Sequence, residues 1–291
     1  MMMTASPGNV AETLTETKHA SAAAMTLPTE PARTGDSDLH ATASRITVTT
    51  WNQDGRTERV DAVAVEEPLE IRIEQGEPGR RQRQTVAITM RTPGQDEDLA
   101  VGFLVSETIV REPSELQQVM LGRGVAMVDL QPGVSVDLSR LQRHFYTSSS
   151  CGVCGKSSLE AVEAVCEGPR LGGSGIAAAI VPRLVERLRQ AQPTFARTGG
   201  LHAAGLFDLA GNLLGLREDV GRHNAVDKLL GAEFRAARWP LHEQILVLSG
   251  RASFDLIQKA AVARIPIVVA VGAPSSATRP TISDDTARVR S

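Results

Sequence analysis

The run from Gln244 to Val271 constrains the fold most, because it reads strand, helix, strand with very short connections. Gln244–Ser249 is apolar and strand-like, Ser253 through Ala263 suits a helix, and Ile267–Val271 is a second strand. Two strands joined by a helix must pair in parallel, with a right-handed crossover. The chain is therefore expected to be an α/β protein. Ser249, Gly250 and Arg251 close the first strand, and the carboxyl ends of strands in an open α/β sheet border the usual ligand crevice. Arg251 suits a bidentate contact with phosphate.

The segments just upstream point to the same crevice. Thr198-Gly199-Gly200-Leu201-His202 is a tight glycine turn delivering a histidine. Ala204–Leu209 and Leu213–Glu218 follow as strands joined at Ala210-Gly211-Asn212. Glu218 to Lys228 then crowds acids, bases, His223 and Asn224 around Gly221, and Ala225–Ala237 continues as a helix. Arg222 and His223 fall at the start of that helix, where free N–H groups bind anions. A plain surface salt-bridge network is the competing reading. An amphipathic helix is expected over Val181–Gln192.

A second constellation is Ser148-Ser149-Ser150-Cys151-Gly152-Val153-Cys154-Gly155-Lys156. Ser157 and Glu160 fit a capping box, so a helix is predicted directly behind the cysteine pair. Helix-end N–H groups and Lys156 would lower a thiol pKa and favour the thiolate. Flanking glycines let a bulky partner approach the sulfurs. Cys166, near the end of that helix, reads as a buried small hydrophobe. A Cys-x-x-Cys pair also serves as a zinc half-site or a redox pair. No second Cys-x-x-Cys accompanies it, and Leu141–Thr147 makes a poor core strand for a thioredoxin pattern. Cys166, His202 and His223 are the further zinc candidates by type.

From Arg45 the chain offers short strands at Ile46–Trp51, Val60–Val65, Leu69–Glu74 and Thr85–Arg91, with a hairpin turn at Asp54-Gly55. Gly76 to Arg83 is a basic loop carrying Arg80, Arg81 and Arg83. Asp96, Glu97 and Asp98 open a helix to about Val110, with Leu99 and Phe103 on one face. Strands at Val125–Leu130 and Val134–Leu138 complete an N-terminal β-rich module. The expected division is a disordered lead over 1–44, this module over 45–140, an α/β core with cysteine loop and pocket over 141–276, and an atypical disordered tail over 277–291.

Composition narrows the function classes. A formal net charge of -3 argues against a general nucleic-acid binder. Three cysteines, an odd number, fit a reducing compartment better than a secreted disulfide scaffold. No apolar run reaches membrane-spanning length and no signal peptide is evident, so the expected location is cytoplasmic.

The ordered blocks resemble the FdhD family of formate dehydrogenase accessory sulfurtransferases. They are Glu67–Ile71, Met90-Arg91-Thr92-Pro93-Gly94, Ser149–Lys156, Thr198–Ala204, Arg217–Lys228 and Ser249–Phe254. The resemblance implies a cytidine deaminase-like three-layer core and a homodimer. It implies that a cysteine desulfurase loads persulfide sulfur on Cys151, that Cys154 resolves or relays it, and that formate dehydrogenase is the beneficiary. The cargo would be a molybdenum bis-molybdopterin guanine dinucleotide cofactor. Its phosphates and guanine would lie against His202, Arg222, His223, Lys228, Ser249 and Arg251, with Asp227 orienting or accepting guanine N–H donors. A deaminase-like zinc protein and a cofactor chaperone without sulfur transfer are the alternatives. Family members continue beyond Ser276 with a helix, a strand and a basic segment. Here Ala277–Ser291 has no apolar face, so a truncated, disordered end is expected, leaving an unpaired edge on Ile267–Val271.

Overall fold

The computed structural model describes residues 42–52, 55–136 and 176–274, together with the backbone of 2–4. The cysteine loop, the helix predicted behind it, Cys166 and the tail from Ala277 lie outside the described residues, as does most of the lead. No described helix is long and apolar enough to cross a membrane.

The N-terminal part holds two sheets. β2 (Ala43–Asn52) and β3 (Gly55–Ala64) form a separate antiparallel hairpin. Asn52 pairs with Gly55, so Gly55 belongs to β3 rather than to the expected Asp54-Gly55 turn. β4 (Glu67–Gln75), β5 (Gln82–Arg91), β6 (Leu116–Gly122) and β7 (Val125–Leu130) form a four-stranded sheet in the order β5-β4-β7-β6. β4 and β7 run parallel, and the outer pairs are antiparallel. Two corrections apply here. β6 was not expected, and Val134–Val136 is not a strand; Gln131-Pro132-Gly133 turns the chain, and the Gln75 side chain holds Val136 through both its N–H and its carbonyl. The basic loop is anchored rather than merely solvated, because Arg81 pairs with Asp129 and donates to the carbonyls of Glu74 and Leu130.

The larger sheet has the order β1-β11-β10-β8-β9. β8 (His202–Asp208) and β9 (Leu213–Asp219) are the expected hairpin, and β8 is antiparallel to β10 (Gln244–Arg251). β10 and β11 (Ile267–Gly272) pair in parallel across a helix, as the strand–helix–strand pattern requires. The outer edge of β11 is not open. β1 (Met2–Thr4) pairs with it in parallel, Met2 opposite Val268, so backbone groups expected to be free are satisfied by the first residues of the chain.

Helices cover both faces of this sheet. Period-2 alternation sends Ala203, Phe207, Ile245, Val247, Ile267 and Val269 to one side. There they meet Val181, Leu184 and Leu188 of α2 (Val181–Gln190), which α3 (Pro193–Thr198) follows. Ala204, Leu206, Leu246, Leu248, Val268 and Ala270 face the other side, against α4 (Arg222–Arg235) and α5 (Phe254–Val262).

α1 (Asp96–Ser106) lies between α4 and the four-stranded sheet. It is buried almost all round rather than on one stripe, with Leu99, Leu104 and Val105 packed on Leu69, Ile71 and Val128. Against α4 it crosses at two glycines. A Cβ on Gly102 would fall 1.7 Å from the Asp227 carbonyl oxygen, and one on Gly231 would fall 1.9 Å from that of Asp98. Ionic contacts frame the crossing. Asp98 binds Arg217 at 2.9 Å and Arg235 at 2.6 Å. Asp227 binds Lys259 of α5 at 2.8 Å and accepts a hydrogen bond from Ser106 at 2.8 Å. Burial pulls the Lys259 pKa down, but Asp227 and Glu107 outweigh it and hold the ammonium above the ordinary lysine value.

Two predictions follow from this packing. Gly231→Ala inserts a methyl group into backbone, so its unfolding free energy should fall by about 3 kcal/mol, at the upper end of overpacking costs. An unchanged urea midpoint would show that the helices do not meet at this distance. Lys259→Met should cost about 3–5 kcal/mol by stranding Asp227, while Lys259→Met with Asp227→Leu should recover most of the loss. Because the folded lysine pKa is raised, the pair's contribution is complete below pH about 10.4 and is lost as pH rises through the folded value. The double variant should lack that alkaline loss in pH-dependent urea melts.

Candidate functional site

The start of β8 and the ends of β9, β10 and β11 share one end of the larger sheet, since His202 pairs with Asp219 and β8 runs against β10. α4 and α5 both begin there, directly after β9 and β10. His202, Arg222, His223, Ser249 and Arg251 are thus carried to one rim by three elements, β8, α4 and β10, the last being the strand whose end the crevice argument singled out.

Each is held for an identifiable reason. The Ser249 hydroxyl oxygen accepts a hydrogen bond from Ala203 N–H at 2.8 Å, tying β10 to the residue after His202. Gly250 lies beside the imidazole, where a Cβ would make an ordinary 3.4 Å contact with His202 Nδ1. Burial lowers the His202 pKa, the Arg222 and His223 charges lower it further, and Asp219 opposes them. His202 is therefore held toward its neutral form beside cationic neighbours. Arg222 and His223 are partly exposed, and Arg251 is exposed.

Two residues named from sequence do not belong to the rim surface. Asp227 is 2% exposed and Lys228 is fully buried. Asp227 is engaged by Ser106 and Lys259, and Lys228 by Asp219 at 2.7 Å and the Thr92 carbonyl at 2.8 Å. One helical turn inside α4, their charged ends face the interior, so neither meets a ligand at the rim.

The structure adds residues that sequence reasoning passed over. His223 Nε2 stands 3.6 Å from Asp255 Oδ2, an ion-pair separation rather than a hydrogen bond. That imidazole holds the Asp255 carboxyl below its ordinary pKa against the opposing effect of burial. An acid in the first turn of α5 is a helix-start signal that could have singled out Asp255. Neither helix start carries a side-chain cap: Gly221 has no side chain, and Ser253 makes no capping hydrogen bond while its hydroxyl is buried without a described partner. Among the described residues, two adjacent helix starts without a side-chain cap, with Arg222 and Arg251, make this rim suited to anions.

Beside the rim lies an apolar cavity of about 510 Å³. Val185 and Leu188 of α2, Phe195 of α3, and Leu201 and Val271 form its walls, while the Gly199-Gly200 turn, His202 and Ser249 join it to the rim. Gln192 also lines it, 4% exposed, with an amide nitrogen that has no described partner. Among the described residues, no three His, Cys, Asp or Glu side chains converge as a metal set. A flat, partly apolar ligand bearing anionic groups is what this combination of cavity and rim can hold.

Comparison with known proteins agrees with the ordered sequence blocks. The model of the FdhD/NarQ family matches residues 64–280. A sulfur carrier protein FdhD of Streptomyces coelicolor is 47% identical over 232 residues, covering 75% of this chain and 79% of that protein. Its namesake in Mycobacterium tuberculosis is 47% identical over 232 residues, covering 75% and 81%. Among solved structures, a protein of Desulfotalea psychrophila named as a formate dehydrogenase accessory protein superposes with a TM-score of 0.62. It is 21% identical, and the match covers 82% of this chain and 90% of that one, a likeness of fold. By the extent of the family match and the identity of these relatives, the chain belongs to the FdhD/NarQ family.

Proposed function

We propose that this protein is a sulfur carrier that takes persulfide sulfur from a cysteine desulfurase and delivers it to a molybdenum bis-molybdopterin guanine dinucleotide cofactor, a sulfurtransferase step needed for formate dehydrogenase activity. The names of its relatives as sulfur carriers support the sulfur half of this reading. The cofactor half rests on one observation, the anion-suited rim adjoining an apolar cavity. Arg222, Arg251 and the two uncapped helix starts would take phosphates. His202, His223 and Ser249 would face the polar edge of the base. The same reading carries a homodimer acting in the cytoplasm, with a core of cytidine deaminase type.

The loading step at sulfur balances without a further reactant. The Cys151 thiolate attacks the terminal sulfur of the donor persulfide, a new S–S bond forms, and the donor's own S–S bond breaks as its cysteine leaves as thiolate. Cys154 would resolve or relay the resulting persulfide. Both cysteines lie outside the described residues, so their roles rest on the sequence.

Incubation with a desulfurase and cysteine, followed by mass spectrometry, should show a sulfur adduct on Cys151. Cys151→Ala should lose both the adduct and formate dehydrogenase maturation while staying folded, and undiminished maturation would sink the carrier assignment. Arg222→Ala and Arg251→Ala should each weaken GDP binding by about 1.5–3 kcal/mol, the worth of a charge-assisted contact, while sparing the adduct. If both bind GDP as tightly as the parent, the nucleotide does not sit on this rim.

A further inference from the structure

The block Met90-Arg91-Thr92-Pro93-Gly94 lies at the end of β5, in another sheet from the rim and outside the set of residues proposed to touch cofactor. Its contacts lead straight to the start of α4. The Asp219 carboxylate, fully buried, accepts hydrogen bonds from Thr92 N–H at 3.1 Å, Gly221 N–H at 2.8 Å and Asn224 Nδ2 at 3.0 Å, and pairs with Lys228 Nζ at 2.7 Å. Thr92 answers on both sides: its hydroxyl oxygen accepts from Val220 N–H at 3.1 Å, and its carbonyl accepts from Lys228 at 2.8 Å. Asn224 closes the ring by donating to the Met90 carbonyl at 2.7 Å and accepting from the Thr89 hydroxyl at 3.2 Å. Val220 and Gly221 are thus clamped from both sides immediately before the uncapped start of α4.

We propose that Asp219 and Thr92 are the positioning residues of the anion rim, fixing the Val220–Gly221 turn so that Arg222, His223 and the first free N–H groups of α4 are presented in one arrangement. This rests on the reading of the rim as the phosphate site. The number of bonds decides against incidental packing. A buried carboxylate needs one counter-ion and enough donors to be tolerated. Here two of its bonds, together with the Thr92 hydroxyl, fall on the backbone of a single turn and of the strand end facing it. A turn held this way is preorganised, and preorganisation lowers the ordering cost that binding would otherwise bear.

The test separates position from stability. Thr92→Val removes only the acceptor for Val220 N–H, and Thr92→Ser restores it. Asp219→Asn alone would strand the Lys228 ammonium and could unfold the chain, so it is made together with Lys228→Met. At a temperature where all variants are folded, Thr92→Val should weaken GDP binding about tenfold, the loss of a little over 1 kcal/mol of preorganisation. The paired variant should weaken it further, and Thr92→Ser should bind as the parent does. Amide exchange at Val220, Arg222 and His223 should quicken in the weakened variants and not in Thr92→Ser. A purely structural role would lower the melting temperature and leave the affinity of the folded protein unchanged, and that result would overturn the proposal. If the parent itself binds no GDP, the phosphate reading of the rim fails. The exchange rates then decide the positioning role alone, and unchanged rates refute it.

Discussion

The contact of α1 with α4 at Gly102 and Gly231 is the constraint on which the rest depends. Backbones this close leave no room for a side chain of any size on either helix, as the 1.7 and 1.9 Å approaches of a hypothetical Cβ make plain. The crossing therefore fixes both the distance and the register of the two helices. α4 in turn lies on the larger sheet, and α1 on the four-stranded one. One close crossing thereby locks the N-terminal sheet to the sheet that carries the rim. Without it, Thr92 at the end of β5 could not reach Asp219 at the end of β9.

The charges around the crossing do a different job from the apolar contacts. Asp227 and Lys228 are neighbours in sequence, about 100° apart around α4, and meet different partners, one Ser106 and Lys259, the other Asp219 and Thr92. A buried ion pair adds little net stability over an apolar pair, because desolvation offsets the attraction. It does penalise every arrangement that separates the partners. Two such pairs on different faces oppose rotation and sliding of α4, because either would separate a buried charge from its partner. The free end of α4, with Arg222 and His223, is therefore held by contacts one turn deeper in the same helix.

This explains what the sequence could and could not reveal. The parallel β10–β11 pair, the β8–β9 hairpin and the start of α4 were legible because their signals are local: apolar runs of strand length, glycine turns and a short crossover. β6 was missed because Leu116–Gly122 is largely exposed and its apolar residues Val119, Met120 and Leu121 run together, so it lacks the alternation that marks a half-buried strand. Asp227 and Lys228 were misread for a related reason. A charge-rich run looks the same whether its members face solvent or core, and what settles the matter here are Ser106 and Thr92, 121 and 136 residues away. The β1 edge strand carries no propensity signal of its own, since three residues become a strand only when β11 offers them a ladder. His202, Arg222, Ser249 and Arg251 survived as rim residues because each sits at the end of an element, where side chains escape the packing that decides burial.

The proposed cofactor would be divided by the rim and the cavity between two physical regimes. On the rim, Arg222, Arg251 and the free helix ends meet water, so a phosphate there gains from charge and directed hydrogen bonds while staying partly hydrated. In the cavity, Val185, Leu188, Phe195 and Val271 offer apolar area with few donors, so a flat ring gains by leaving water. His202 stands at the junction, kept toward neutrality by burial and by its cationic neighbours. A neutral imidazole can donate from one nitrogen and accept at the other, whereas an imidazolium would only donate and would add a charge beside Arg222. Under the proposed reading, neutrality at this position would let the polar edge of a base be read without repelling the arginines assigned to its phosphates. The partial burial of His202 at the start of β8 is what would maintain that division.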